Sequence, residues 1–194
     1  FSLPVLFVVT GPPGAGKTGI ARRLAADLAL PLFAKDDLKE LLFDTLGWSD
    51  REWSRRLGHA SIELLYRLAG IELAAGRSLI LESSFRPAFD DARFTALNQR
   101  YPFRPLQVYC TAEIETLVRR ISIRAASPER HPGHVEQTWL AEFVAGLRAG
   151  GFGPIALPGP PRTLHTLHTL DTTDFAAMDY PALLAAVRAS LTSM

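Results

Sequence analysis

The sequence predicts an α/β fold: a doubly wound parallel sheet of five strands covered by helices on both faces. Three observations carry that prediction. Short apolar runs alternate with amphipathic helical stretches from one end to the other. The first run, Val5–Thr10, is almost continuously apolar, as a strand buried on both faces requires. Directly after it, the glycine-rich turn Gly11–Thr18 opens a helix.

The elements follow in order. Thr18–Leu30 sets Ile20, Leu24, Leu28 and its alanines on one helical face, and Leu32–Ala34 is a short strand. A helix follows near Asp37–Leu46. Asp37 and Glu40 have capping-box spacing there, and Leu38, Leu41 and Leu42 form the expected buried face. Asp50–Ala75 is long, helical in pattern and charged, with Arg51, Glu52, Arg55 and Arg56 near its start. Ser78–Glu82 reads as strand, Ala88–Arg100 as helix and Leu106–Cys110 as strand. Glu113–Ala125 and Val135–Leu147 read as helices around the turn-forming Ser127–Gly133. Gly150–Pro161, crowded with glycine and proline, is loop; Thr163–Leu170 is the last strand and Ala182–Leu191 the closing helix. Such sheets have right-handed crossovers and bind ligands beyond the carboxyl ends of their strands.

The 194 residues fit one domain, residues 1–194, with 47% apolar and 21% charged residues. A net charge of +1 gives no global field to hold nucleic acid or an anionic membrane. With Cys110 alone, no intramolecular disulfide can form, which favours a reducing, cytoplasmic setting. No apolar run reaches the roughly 18 residues of a membrane span. The opening Phe1–Pro4 lacks a signal peptide's basic segment and cleavage site, and with no Met the true N-terminus is expected to be missing.

Gly11-Pro12-Pro13-Gly14-Ala15-Gly16-Lys17-Thr18 matches G-x-x-x-x-G-K-[ST] in full, with a buried strand before it and a helix after it. Its glycines allow successive N–H groups to turn inward around phosphate oxygens at a helix N-terminus. Lys17 is expected on the β- and γ-phosphates and the Thr18 hydroxyl on Mg²⁺, which makes Mg·ATP the expected ligand.

The loop alone does not separate classes of nucleotide-binding protein. A base-reading Asn-Lys-x-Asp is missing, the chain is short for a ring ATPase, and Leu79–Glu82 ends in Glu82-Ser83-Ser84 rather than in Asp. A kinase of small molecules or nucleic-acid ends remains. Over roughly residues 5–150 the sequence resembles the P-loop hydroxyl kinases grouped with polynucleotide 5′-kinase, chloramphenicol phosphotransferase and the zeta-toxin kinases. Four places carry the resemblance: the loop, Lys35-Asp36-Asp37-Leu38-Lys39, Glu82-Ser83-Ser84, and Arg119-Arg120-Ile121-Ser122-Ile123-Arg124.

Transfer to an alcohol needs a carboxylate to orient the hydroxyl and take its proton. Capping would occupy Asp37 and leave Asp36 free to face the cleft, although both aspartates could simply cap the helix. The resemblance also implies Asp36, because the first Asp of the pair matches the family's catalytic one. It places Lys39 where polynucleotide kinases hold acceptor phosphate with an Arg. It further implies a lid, about 113–135, whose Arg120 and Arg124 meet the transferring phosphate. Arg130 could join them, and the loop before Asp171-Thr172-Thr173 would line the adenine, as comparable loops do in related kinases. Glu82 is a candidate for a magnesium-bound water or substrate, and Ser83, Ser84 and Arg86 for the rim of the acceptor pocket.

Weaker signals have plainer readings. His131 and His134 flank a turn and make a thin metal set. His165 and His168 lie in a strand, Cys110 reads as a small buried residue, and Trp48 and Trp53 fit core, acceptor wall or dimer surface alike. The resulting expectation is an ATP-dependent phosphotransferase acting on a small-molecule hydroxyl. A polynucleotide 5′-hydroxyl kinase and a non-catalytic ATP-binding module are the alternatives. An antibiotic, a sugar, a nucleoside or a nucleic-acid end would all serve as acceptor, and oligomeric state stays open.

Overall fold

The computed structural model describes residues 3–158 and 166–192. Among them, β1 (Val5–Thr10), β2 (Leu32–Ala34), β3 (Leu79–Glu82), β4 (Arg104–Thr111) and β5 (Thr166–Asp171) form one sheet. Its order is β2-β3-β1-β4-β5 and every pairing is parallel. The expected five-stranded doubly wound sheet is therefore present. Residues 163–165 of the expected last strand lie outside the described residues, as does the end of the proline-rich loop.

Strand alternation in β1 divides the core. Val5, Phe7 and Val9 face one side with Ile80, Leu106, Val108 and Cys110. They pack against α1 (Lys17–Leu28), α5 (Ile114–Ala126), α6 (Leu140–Arg148) and α7 (Tyr180–Thr192). Leu6 and Val8 face the other side with Leu79 and Leu81, under α3 (Arg51–Ala74) and α4 (Pro87–Arg100). On that side Phe94 stacks edge-on against Phe85 and Tyr66, with centroids 5.1 and 5.2 Å apart. The loop after α6 is tied beneath β4 by buried Gln107, whose side chain donates to the Ile155 carbonyl and accepts from its N–H, both at 2.9 Å. No helix among the described residues is long and apolar enough to cross a membrane.

Two expectations need correction. α2 (Lys35–Leu46) starts at Lys35 with Ala34 as its N-cap, so Asp37 lies inside the first turn and no capping box forms. Its buried residues are Lys39 and Phe43, while Leu41 is 61% exposed. The reason is tertiary: α2 packs on α3, and the Phe43 ring is covered by His131 and His134 of the turn before α6. The helix expected over Val135–Leu147 begins only at Leu140. Two 3₁₀ turns, Pro132–His134 and Glu136–Thr138, precede it. Val135 between them has φ 45°, an unfavourable left-handed conformation for a β-branched residue, and it breaks the helix.

Phe94→Ala should destabilise the fold by about 3–5 kcal/mol, because the aromatic cluster around it closes poorly over the void. Urea unfolding with an unchanged m value is the check, and a loss under about 1 kcal/mol would contradict this account of the second core.

Candidate active site

β1 delivers the chain into the loop at the carboxyl edge of the sheet, beside the point where β3 and β4 diverge to either side. Gly11 has φ +139°, and a Cβ there would stand 2.0 Å from the Cys110 carbonyl oxygen of neighbouring β4. Only glycine lets the chain leave the sheet so close to that strand. Gly16 caps α1 from a left-handed conformation and has no side chain to offer the first-turn N–H groups. Ala15 donates to the Pro12 carbonyl at 3.2 Å and closes the loop.

Lys17 is buried, and its Nζ donates across the loop to the Pro12 carbonyl at 2.9 Å. Burial lowers its pKa, against the opposing pull of Glu82. The Thr18 hydroxyl donates to Glu82 Oε2 at 3.1 Å. Glu82 ends β3 as a buried residue, and burial pushes its carboxyl above the usual range although Lys17 opposes the shift. Ser83 and Ser84 continue along the same wall.

These groups open onto a cleft of about 920 Å³. Asp36, at the start of α2, lines it. Asp37 points outward and pairs with Arg22 at 3.0 Å, both half exposed or more. Asp36 accepts from Lys35 Nζ at 3.3 Å and from Arg130 Nη2 at 2.9 Å. Burial by itself would raise its carboxyl, but Lys35 and Arg130 outweigh that and hold it far below the usual carboxylate range.

Arg130 joins two elements. Besides Asp36 it donates to Glu40 Oε1 at 3.1 Å and to Glu136 Oε1 at 2.8 Å. Glu136 also takes both arms of Arg124, Nε at 3.1 Å and Nη2 at 2.7 Å, in the two-pronged geometry a carboxylate matches best. Its side chain is 2% exposed, so two guanidiniums neutralise a carboxylate shut away from water. His134 Nε2 sits 2.7 Å from Glu40 Oε1, and burial drives its imidazole towards the neutral form.

The cleft brings together Pro13, Lys17, Thr18, Asp36, Lys39, Glu82, Ser83, Arg86 and Arg124. Arg120 stands apart. Its guanidinium donates to the carbonyls of Thr172 and Thr173 at 2.7 and 3.1 Å and lies 4.0 Å from the Phe175 ring centroid. It fastens α5 to the loop after β5, and Phe175 in turn covers Gly16. Lys39 is buried on α2 with Nζ donating to Ser54 Oγ at 2.9 Å. His131 sits 3.2 Å from Asp44, so both histidines of the turn face carboxylates of α2. Trp53 donates to the Gly47 carbonyl at 2.9 Å, and Trp48 is half exposed against His131. Trp139, not either of these, lines the cleft. His168 lies in β5 opposite Val108, and His165 lies outside the described residues. Sequence reading missed Glu136 and Trp139 and gave Glu40 only a capping role. The one signal for Glu136 was an acidic residue in an arginine-bearing segment, and the helix expected from Val135 hid it.

Comparison with known proteins agrees with this architecture. A crystal structure from Chloroflexus aurantiacus, named a "putative kinase", is 43% identical and covers 97% of this chain and 99% of its own, with a TM-score of 0.87. A cytidylate kinase from Pyrobaculum aerophilum is 30% identical over 121 residues, 62% of this chain. The match spans about 60% of that relative's length. The APS kinase of Mycobacterium tuberculosis, 16% identical with a TM-score of 0.57 over 99% of both chains, shares the fold. The family model described as an AAA domain matches residues 6–147, from β1 through α6, and the chain belongs to that family.

Proposed function

We propose that this chain is a kinase that moves the γ-phosphate of Mg·ATP onto a hydroxyl of a small molecule. One observation carries the reading: a single cleft holds a phosphate-loop lysine, a threonine–carboxylate pair, a second carboxylate and arginines from α5 and the turn beyond it. Relatives named as kinases support phosphoryl transfer in general. A carboxylate at Asp36 suits an alcohol acceptor, whose hydroxyl must be oriented and must lose its proton on transfer, whereas a phosphate acceptor is mostly ionised near neutral pH.

The residues fit the nucleotide. An uncapped helix N-terminus and a buried ammonium whose hydrogen-bond partner among the described residues is a carbonyl both suit phosphate oxygens. Among the described residues no group of three His, Cys, Asp or Glu could hold a metal. The Thr18–Glu82 pair instead suits Mg²⁺, which takes few protein oxygens and completes its shell with phosphate and water. Held by Thr18 and Glu82, Mg²⁺ would supply positive charge that offsets the charge of the phosphates.

In this reading Lys17 and the loop amides hold the phosphates. The acceptor oxygen forms its bond to the γ-phosphorus as the bond to the β–γ bridging oxygen breaks. ADP carries off that electron pair, and the hydroxyl proton leaves by way of Asp36. A carboxylate with so low a pKa is a weak base, so Asp36 works mainly by fixing the hydroxyl's direction; in a loose transition state that matters more than early proton removal. Arg124 and Arg130 form the inner face of a lid and neutralise the transferring group. Arg120, bonded to carbonyls, secures the lid's base instead.

Incubation with γ-labelled ATP and a pooled panel of hydroxyl compounds tests the proposal; ATP binding with no product anywhere would leave a nucleotide-binding module. Lys17→Ala should nearly abolish transfer, and activity near wild type would sink the assignment. Asp36→Asn should cost about 10²–10⁴-fold in kcat with ATP affinity kept; the same loss from Asp37→Asn instead would mean the pair is wrongly divided. Asp36 also gives a pH signature. Its folded pKa lies below the unfolded one, so its stabilisation is present above the unfolded value and is lost as pH falls beneath it. Thermal unfolding from about pH 5 to 2 should therefore be less steeply acid-sensitive in Asp36→Asn than in the wild type.

A further inference from the structure

Four hydrogen bonds end on the carboxylate of Glu136. Arg124 gives it Nε at 3.1 Å and Nη2 at 2.7 Å, and Arg130 gives Nε at 3.1 Å and Nη2 at 2.8 Å. The side chain is 2% exposed, yet it lines the cleft that holds Lys17 and Asp36. Buried ion pairs are poor sources of stability, because taking the charges out of water costs much of what their attraction returns. Stability alone therefore does not account for this cluster.

The backbone is bent to put Glu136 there. Val135, with φ 45°, ends one 3₁₀ turn and caps the next, a conformation that a β-branched residue adopts only under constraint. The segment is braced on either side of it. Gln137 Nε2 donates to the Ala125 carbonyl at the end of α5 at 3.3 Å, and Trp139 Nε1 donates to the His134 carbonyl at 3.2 Å. Strained backbone that its surroundings hold in place concentrates at working sites.

The two arginines reach different parts of the cleft. Arg130 carries the cluster to Asp36 at 2.9 Å. Arg124 stands towards the phosphate loop: burial is the main cause that lowers the Lys17 pKa, and Arg124 adds to it as a nearby cation. A guanidinium is a rigid plane, so a carboxylate that grips its Nε–Nη2 edge also fixes the direction of Nη1.

We propose that Glu136 is a positioning residue, which holds the Arg124 guanidinium in line for the γ-phosphate of the bound nucleotide. It rests on the kinase reading for the nucleotide alone, so no acceptor is needed to test it. Charge and orientation predict opposite outcomes. A carboxylate that only balanced charge would, once removed, leave two guanidiniums with more pull on a polyphosphate, and the triphosphate would bind tighter. A carboxylate that orients a planar fork would, once removed, let the guanidinium swing out of line, and the γ-phosphate would lose its contact.

The test is calorimetry on the full chain with Mg²⁺ and either ADP or adenosine 5′-(β,γ-imido)triphosphate, which differ at the γ-phosphate. The wild type should prefer the triphosphate. Glu136→Gln should weaken triphosphate binding by about 10- to 100-fold and leave ADP binding near wild type. Glu136→Asp keeps the charge but withdraws it by one methylene, and should recover only part of the loss. Arg124→Lys, at a partly exposed position, keeps the charge without the fork and should show the same selective loss, even if urea unfolding finds Glu136→Gln too unstable to use. In an Arg124→Gln background, Glu136→Gln should add little, because effects that pass through a shared partner do not add. Tighter triphosphate binding in Glu136→Gln, equal losses for both nucleotides, full recovery by Glu136→Asp or additive losses in the double variant would each overturn the proposal. So would a wild type without preference for the triphosphate. A γ-selective loss with no product from labelled ATP on any hydroxyl compound would uphold Glu136 and sink the kinase reading. Product from the wild type with no γ-selective loss in the variants would do the reverse.

Discussion

The whole arrangement depends on a central strand buried on both faces. β1 is paired along its length with β3 on one side and β4 on the other, and its side chains alternate between two separate cores. A strand so enclosed has one exit, its carboxyl end, where the chain connections on its two sides lead in opposite directions and leave a crevice. Gly11 is the residue that makes the exit possible, because any side chain there would collide with β4. The phosphate loop, Lys17 and Thr18 owe their position to that constraint. The carboxyl ends of β2 and β3, carrying Asp36 and Glu82, border the same crevice for the same reason.

Around that frame the cleft is organised by charge. Glu136 is the pivot: a carboxylate removed from water, held by two arginines that come from α5 and from the turn beyond it. Buried charges of this kind require their partners, so the 3₁₀ segment is bound to α5 through Arg124 and to α2 through Arg130. The strained backbone at Val135 belongs to the same account, since a continuing helix from that point would carry Glu136 along a different path. On α3 the charges are mixed: Arg51 is bonded to Glu142, while neighbouring Arg55 has no carboxylate within ion-pair distance among the described residues.

Much of this was legible before the structure. Strand periodicity located all five strands to within a few residues over the described chain, and the motif at Gly11–Thr18 located the phosphate loop, because both signals are local and repeat at short spacing. Errors arose where tertiary contacts override local preference. Spacing made Asp37 and Glu40 a capping box, but packing against α3 starts the helix two residues earlier and hands Glu40 to Arg130 and His134. Leucine content made Leu41 a core residue, yet the helix turns Lys39 and Phe43 inward.

By itself, the sequence determined the α/β class, the alternation of elements and the identity of the phosphate-binding loop, since each follows from hydrogen-bonding geometry and side-chain period within a few residues. Only the tertiary structure decided which arginines face the cleft, that Asp36 and not Asp37 lines it, and that a lysine is buried there beside a hydroxyl. Those outcomes turn on pairs such as Arg130 with Asp36 and Thr18 with Glu82, separated by 94 and 64 positions along the chain. No local pattern encodes which of several like charges will meet across such a span. Chain closure and packing choose among them, and the cost of a buried unpaired charge sets the choice.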